Sequence, residues 1–208
     1  MKLKTFFVLV AMGMMFLPRV EAQSKYYTPG TVAGWGDQVF SYVAPGTFFK
    51  LISAGWDHDL ALKQDGTVVA WGFNDFGEAA PPNGLSGVVS IAAGDNHSLA
   101  LKQDGTVVAW GAGKIGPLQG DYHNYGQSIV PTGLNNVVSI AAGYYNSLAL
   151  KRDGTVVAWG AGTDNTGSWP SFGQSIVPAT LSNVIAIAAG DVHSLALKER
   201  RHHNRLGR

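Results

Sequence analysis

Three histidines and three aspartates recur at equivalent places in this chain, and they are its first candidates for chemistry. His58, His97 and His193 each stand three residues after a glycine, at the start of the phrase H-x-L-A-L-K. Imidazoles hold a metal only if they converge within about 2.0–2.1 Å of one ion. Positions related by a long repeat stay on separate units, so the pattern gives these rings a structural role, bonding local backbone groups. Asp65, Asp104 and Asp153 precede Gly66, Gly105 and Gly154. That turn position selects aspartate for backbone hydrogen bonding rather than acid–base work. With one carboxylate per unit, the paired geometry of a glycosidase is not formed.

The remaining routes to catalysis are closed by residue type. Cysteine is absent, which excludes disulfides, thiolate metal sites and cysteine nucleophiles. No phosphate loop, nucleophile elbow or zinc motif occurs. The chain is therefore read as a non-enzyme with no cofactor, no catalytic residue and no metal ligand. The adjacent His202 and His203 fall in an aberrant tail and carry no role.

What positions these residues is an internal repeat. From Gly55, Gly94, Gly143 and Gly190 the sequence returns to one theme: GWDHDLALKQDGTVVAWG, GDNHSLALKQDGTVVAWG, GYYNSLALKRDGTVVAWG and GDVHSLALKER. The glycine spacings are 39, 49 and 47 residues, and the last three units are preceded by VVSIAA, VVSIAA and VIAIAA. GTVAGWG, from Gly30 to Gly36, matches only the second half of a unit. An Asp-Gly pair between two apolar runs is the strongest short-range hairpin signal. In TVVAW, Val107 and Ala109 point to one side, Val108 and Trp110 to the other. A strand apolar on both faces must be covered on both, so each small sheet lies between two others. Trp71, Trp110 and Trp159 recur at equivalent places as packing residues. The predicted fold is all-β: propeller blades of three to four antiparallel strands, about four of them in an open arc.

Both ends of the chain differ from its body. Residues 1–22 read as an export signal: Lys2 and Lys4, an apolar run from Phe6 to Leu17, and Val20-Glu21-Ala22 for cleavage. The run is too short to span a bilayer, which needs about 20 residues. Residues 23–198 carry 8 Lys and Arg against 12 Asp and Glu. An acidic body lacks the footprint of a nucleic-acid binder, and no membrane attachment is expected after cleavage. Repeats begin near residues 30, 47, 86, 135 and 182, and residues 199–208 form a basic tail. Codons can be chosen for Lys198 to Arg208 that, read one base later, spell K-S-D-G-T-I-T-A-W-G, the missing half repeat. The chain is thus read as a frameshifted fragment of a longer propeller.

The motif H-S-L-A-L-K-x-D-G-T-V-V-A-W-G, with a following G-Q and V-P, resembles the repeat of the regulator of chromosome condensation family. Among that family's relatives is the bacterial β-lactamase inhibitory protein of type II. The resemblance runs from about Gly30 to Lys198, with Asn146 in place of the histidine and Glu78 in place of glutamine. It implies a parent ring of the seven-bladed type and protein–protein recognition, with inhibition of a secreted enzyme as one form. The family's eukaryotic role, nucleotide exchange on a small GTPase at chromatin, conflicts with an export signal and an acidic body.

Variation between units locates the binding surface. The tips after each glycine differ: Trp56-Asp57, Asp95-Asn96, Tyr144-Tyr145 and Asp191-Val192. So do the loops after each W-G, with Phe73 to Phe76, Lys114-Ile115, Tyr122 to Tyr125, and Trp169. A constant scaffold with variable aromatic and polar tips presents a partner surface. The partner-binding residues are predicted as Trp56, Asp57, Phe73, Asn74, Asp95, Asn96, Tyr144, Tyr145 and Trp169. The partner is an unknown protein. Carbohydrate stacking on the same rings, as a binder or a polysaccharide-active enzyme, is the alternative, and the location is secreted or periplasmic.

Overall fold

The computed structural model describes residues 31–32, 47–113 and 123–199. The export signal, most of the GTVAGWG half repeat, Lys114 to Tyr122 and nearly all of the basic tail lie outside the described residues. Each unit folds as an antiparallel meander. The first sheet comprises β1 (Phe49–Ala54), β2 (His58–Lys63) and β3 (Val68–Gly72). The second comprises β4 (Val88–Ala93), β5 (His97–Lys102) and β6 (Val107–Gly111), the third β7 (Val137–Ala142), β8 (Asn146–Lys151) and β9 (Val156–Gly160). A two-stranded ribbon, β10 (Asn165–Ser168) with β11 (Ser171–Phe172), is inserted after the third W-G. β12 (Val184–Ala189) and β13 (Ser194–Lys198) pair as the fourth sheet. These are propeller blades in an open arc, as the repeat predicts.

Side-chain alternation explains why blades stack. In β2, Leu60 and Leu62 face the second blade, where they meet Val88, Ile91, Ala100 and Trp110. One blade later Leu99, Leu101 and Val107 meet Val137, Ile140, Ala149 and Trp159. The phrase L-A-L therefore presents its leucines to the next blade and its small alanine to the previous blade's bulk. Val107 and Trp110 fall on opposite faces of the same strand, as the TVVAW pattern requires. Burying one tryptophan removes roughly 150–250 Å² from water. On the fourth sheet the corresponding leucines, Leu195 and Leu197, are 60% and 50% exposed, because no described blade follows. On the first sheet Val32 packs against Phe49, Ala61 and Trp71.

The hairpins hold a surprise of detail. The β2–β3 connection is four residues rather than two: Lys63 N–H donates to Thr67 O at 2.9 Å. Gly66 takes φ +85°, which a side chain resists. Asp65 acts through its carboxylate, accepting from Thr67 N–H at 2.9 Å, and Asp104 and Asp153 repeat this with Thr106 and Thr155 at 3.0 Å. The Asp-Gly pairs are thus structural, as their position implies, in a longer turn than the tight two-residue type.

Candidate functional site

The repeated glycines bring the variable tips together. Strands β1, β4, β7 and β12 end in small residues, and Gly55, Gly94 and Gly143 each approach the glycine carbonyl of the next unit. A Cβ on Gly94 would lie 2.6 Å from Gly143 O, a clash with backbone. Trp56 N–H donates to Gly94 O and Asp95 N–H to Gly143 O, both at 3.3 Å. Three tips are thereby tied side by side, the close approach of Gly143 to Gly190 O brings in the fourth, and the four line a cup of about 190 Å³ at this end of the blades.

Beneath the cup, the signature residues form a relay from blade to blade. His58 Nε2 meets Ser98 Oγ at 2.8 Å, and Ser98 Oγ donates to Glu78 O at 2.9 Å. Trp110 Nε1 donates to the same carbonyl at 2.8 Å. His97, Ser147, Gln127 O and Trp159 repeat the set at 2.9 Å throughout. In the next step Asn146 Nδ2 donates to Ser194 Oγ at 3.3 Å, which donates to Gln174 O at 2.7 Å. Because each serine hydroxyl gives its proton to a carbonyl, the histidines donate from Nε2, and the Asn146 amide serves equally. Burial lowers the pKa of His58 to about 4 and of His97 to about 3, so both rings are neutral. The sequence reading placed these bonds within each turn. They run instead between blades, and the serine that follows His97 and His193 was the available signal. His193 itself is exposed.

Of the predicted partner-binding residues, the aromatic ones, Trp56, Phe73, Tyr144, Tyr145 and Trp169, belong to one run of ring contacts. Tyr144 is edge-on to Trp56, Tyr145 and Trp169, with ring centroids 5.8, 4.5 and 5.3 Å apart. Tyr145 contacts Tyr125 at 4.9 Å and His123 at 6.2 Å, His123 contacts Phe76 at 4.8 Å, and Phe76 contacts Phe73 at 6.5 Å. Phe172 extends the run beyond Trp169 at 6.5 Å. Sequence reasoning did not single out Phe172, because the ribbon that delivers it shows no strand pattern. Trp56 and Trp169 are 66% and 55% exposed, whereas Tyr145 is only 4% exposed. Tyr145 therefore supports the surface from below. Asn74 caps its own loop, accepting from Ala79 N–H at 2.9 Å, and Asn96 donates to the Asp95 carboxylate.

Charge is sorted between the two ends. The described tips and W-G loops carry Asp57, Asp75, Glu78, Asp95, Asp164 and Asp191 and no lysine or arginine. The described lysines sit at the hairpin end, where Lys102 pairs with Asp104 at 3.2 Å and Lys151 with Asp153 at 3.5 Å. Asp95 is 6% exposed, and burial first, then Asp57, Asp191 and Glu78, raise its pKa to about 6. Among the described residues no group of three or more His, Asp or Glu side chains is arranged to hold a metal ion.

Comparison with known proteins agrees with this architecture. The regulator of chromosome condensation (RCC1) repeat matches residues 49–78, 88–114 and 137–166. No curated protein sequence matches the chain. Its fold is similar to Prp20p from Saccharomyces cerevisiae, at 26% identity and TM-score 0.51, over 71% of this chain and 43% of that one. Yeast RCC1 (Prp20), in a structure with Kap60, is similar at 25% identity and TM-score 0.56, over 79% of this chain and 44% of that one. The ectodomain of the receptor kinase CR4 from Physcomitrella patens is similar at 26% identity and TM-score 0.55, over 74% and 39%. The chain thus spans about two fifths of those proteins' lengths. Its fold is of the RCC1-repeat propeller type.

Proposed function

We propose that this chain is an exported binding module that recognises another protein through the aromatic end of its blades. One observation carries the reading: Trp56 and Trp169 stand more than half exposed at the rim of a continuous aromatic surface. Large exposed rings held by a rigid base are the residues that dominate interface energy. Comparison proteins lend support, since Prp20p is described by its binding to Gsp1p and histones. Export rests on the signal at residues 1–22, and the ectodomain of CR4 is consistent with life outside the cell. The resemblance to the type II β-lactamase inhibitory protein makes an extracellular or periplasmic enzyme the partner class. In this reading the four blades are one arc of a longer ring, which the DNA sequence beyond the Arg208 codon tests.

The experiment is affinity capture from the secreted and periplasmic proteins, with remade partners measured by calorimetry. Trp56→Ala and Trp169→Ala together should weaken a true partner at least tenfold without shifting the unfolding midpoint. Capture unchanged in the double variant, or capture of glycans alone, overturns the proposal.

A further inference from the structure

Around the cup, the first residue of each tip alternates in kind: Trp56, Asp95, Tyr144, Asp191. Aromatic faces and carboxylates interleaved in this way form a receptor for a cation, since a ring's negative face and a carboxylate attract the same group. Asp95 is the informative member. It lines the cup while only 6% exposed, and among the described residues its side chain accepts a hydrogen bond from the neighbouring Asn96 amide. No described ammonium or guanidinium lies at this end of the blades to neutralise it. A carboxylate withdrawn from water without a counter-ion is unfavourable unless a partner supplies one. Size narrows the choice: about 190 Å³ is below the roughly 300–1,000 Å³ of pockets for small organic ligands. It suits the end of one long side chain.

We infer that the cup receives a lysine or arginine side chain of the partner protein, seated beside the Trp56–Tyr144 pair against the carboxylates of Asp95 and Asp191. This rests on the protein-binding reading above and specifies the chemistry of its anchor. Asp57, Asp191 and Glu78 add their repulsion to Asp95, and Tyr144 lies near enough to feel its charge. Among the described residues the bound cation therefore meets no fixed positive charge, and binding strengthens from pH 5 to pH 7.5 as Asp95 ionises.

The test titrates argininamide against the full chain at low salt, following the Trp56 indole N–H by NMR. Citrulline amide serves as the neutral isostere. Argininamide should bind saturably and at least tenfold more tightly than citrulline amide. Asp95→Asn or the exposed Asp191→Asn should weaken it about tenfold, and Asp104→Asn at the opposite end should leave it unchanged. Equal binding of the two amides, or calcium chloride or maltohexaose shifting the indole where argininamide does not, overturns the inference. So does partner capture that is lost in the Trp56→Ala and Trp169→Ala variant but unchanged in Asp95→Asn/Asp191→Asn. That last result would leave the protein-binding reading standing.

Discussion

Replacing Glu78 with glutamine should stabilise the protein, by an amount that depends on pH. In two units a buried glutamine closes the loop with a pair of bonds. Gln127 Oε1 accepts from Tyr125 N–H at 2.9 Å while Nε2 donates to His123 O at 2.6 Å. Gln174 does the same with Phe172 N–H at 3.0 Å and Pro170 O at 2.6 Å. Glu78 keeps the first bond, from Phe76 N–H to Oε2 at 2.9 Å. Its other oxygen, Oε1, is buried with no partner, and the side chain is fully inaccessible. By the repeat, that oxygen occupies the place of an amide NH₂ whose acceptor would be the carbonyl four residues earlier, on Asn74. Leaving a buried acceptor unsatisfied costs about 1–3 kcal/mol, and Glu78→Gln removes that cost and adds the missing donor. The gain at pH 7 should be about 2 kcal/mol, or roughly 4–8 °C in melting temperature for a chain of this size.

Acid should erase the difference. Burial first, with Asp75 and Asp57 adding repulsion, raises the pKa of Glu78 above its ordinary 4.5. A raised carboxyl pKa means the folded state binds the proton more tightly than the unfolded state. The wild-type contribution is therefore full at low pH and is lost as pH rises from the ordinary glutamate value through the folded one. Below that window a protonated Glu78 donates as glutamine does. Urea unfolding followed by tryptophan fluorescence at pH 4 and pH 7 measures both variants. A glutamine variant no more stable at pH 7, or one whose advantage is equal at the two pH values, would refute the reasoning.

Four further outcomes follow from the same geometry. Because Asn146 serves where His97 does, His97→Asn should cost no more than about 1 kcal/mol, whereas His97→Ala, which strands Ser147 and opens a cavity, should cost roughly 2–4 kcal/mol. The lowered pKa of His97, about 3 against 6.5, means stability is full above pH 6.5 and falls as pH drops toward 3; His58→Asn/His97→Asn should flatten that limb in acid unfolding curves. Trp110→Ala should cost about 3–5 kcal/mol, and Trp110→Phe about 1–2 kcal/mol for the lost bond to Glu78 O, both read from urea midpoints. Carbon-detected NMR of Asp95 should titrate near pH 6; in Asp57→Asn/Asp191→Asn the midpoint should fall yet stay above 3.8, because burial is the larger cause.

How much of this was legible before folding depends on the range of the interaction. Asp65, Gly66 and their counterparts act within four residues, so their role was readable from spacing. The two-faced TVVAW strand also told its own story, since alternation places Val107 and Trp110 on opposite sides whatever the neighbours are. The loop tips could be named as variable, and Trp56, Tyr144 and Trp169 do meet. Their unequal exposure was not legible, and Tyr145, adjacent to Tyr144 in sequence, is a buried support. Glu78 looked like a mere departure from glutamine, because its missing partner becomes visible only when the loop closes.

The sequence alone determined the repeat, the strands, and the apolar faces that force blades to stack, because these follow from a period of two and from glycine at turns. Only the tertiary structure decided that a serine and a tryptophan of one blade share one carbonyl while the histidine of the preceding blade bonds that serine. It alone set Trp56, Asp95, Tyr144 and Asp191 around one cup. Those residues lie 39 to 135 positions apart along the chain, and hydrogen bonds and charge act over a few ångströms, so their association waits on the curvature that packing imposes.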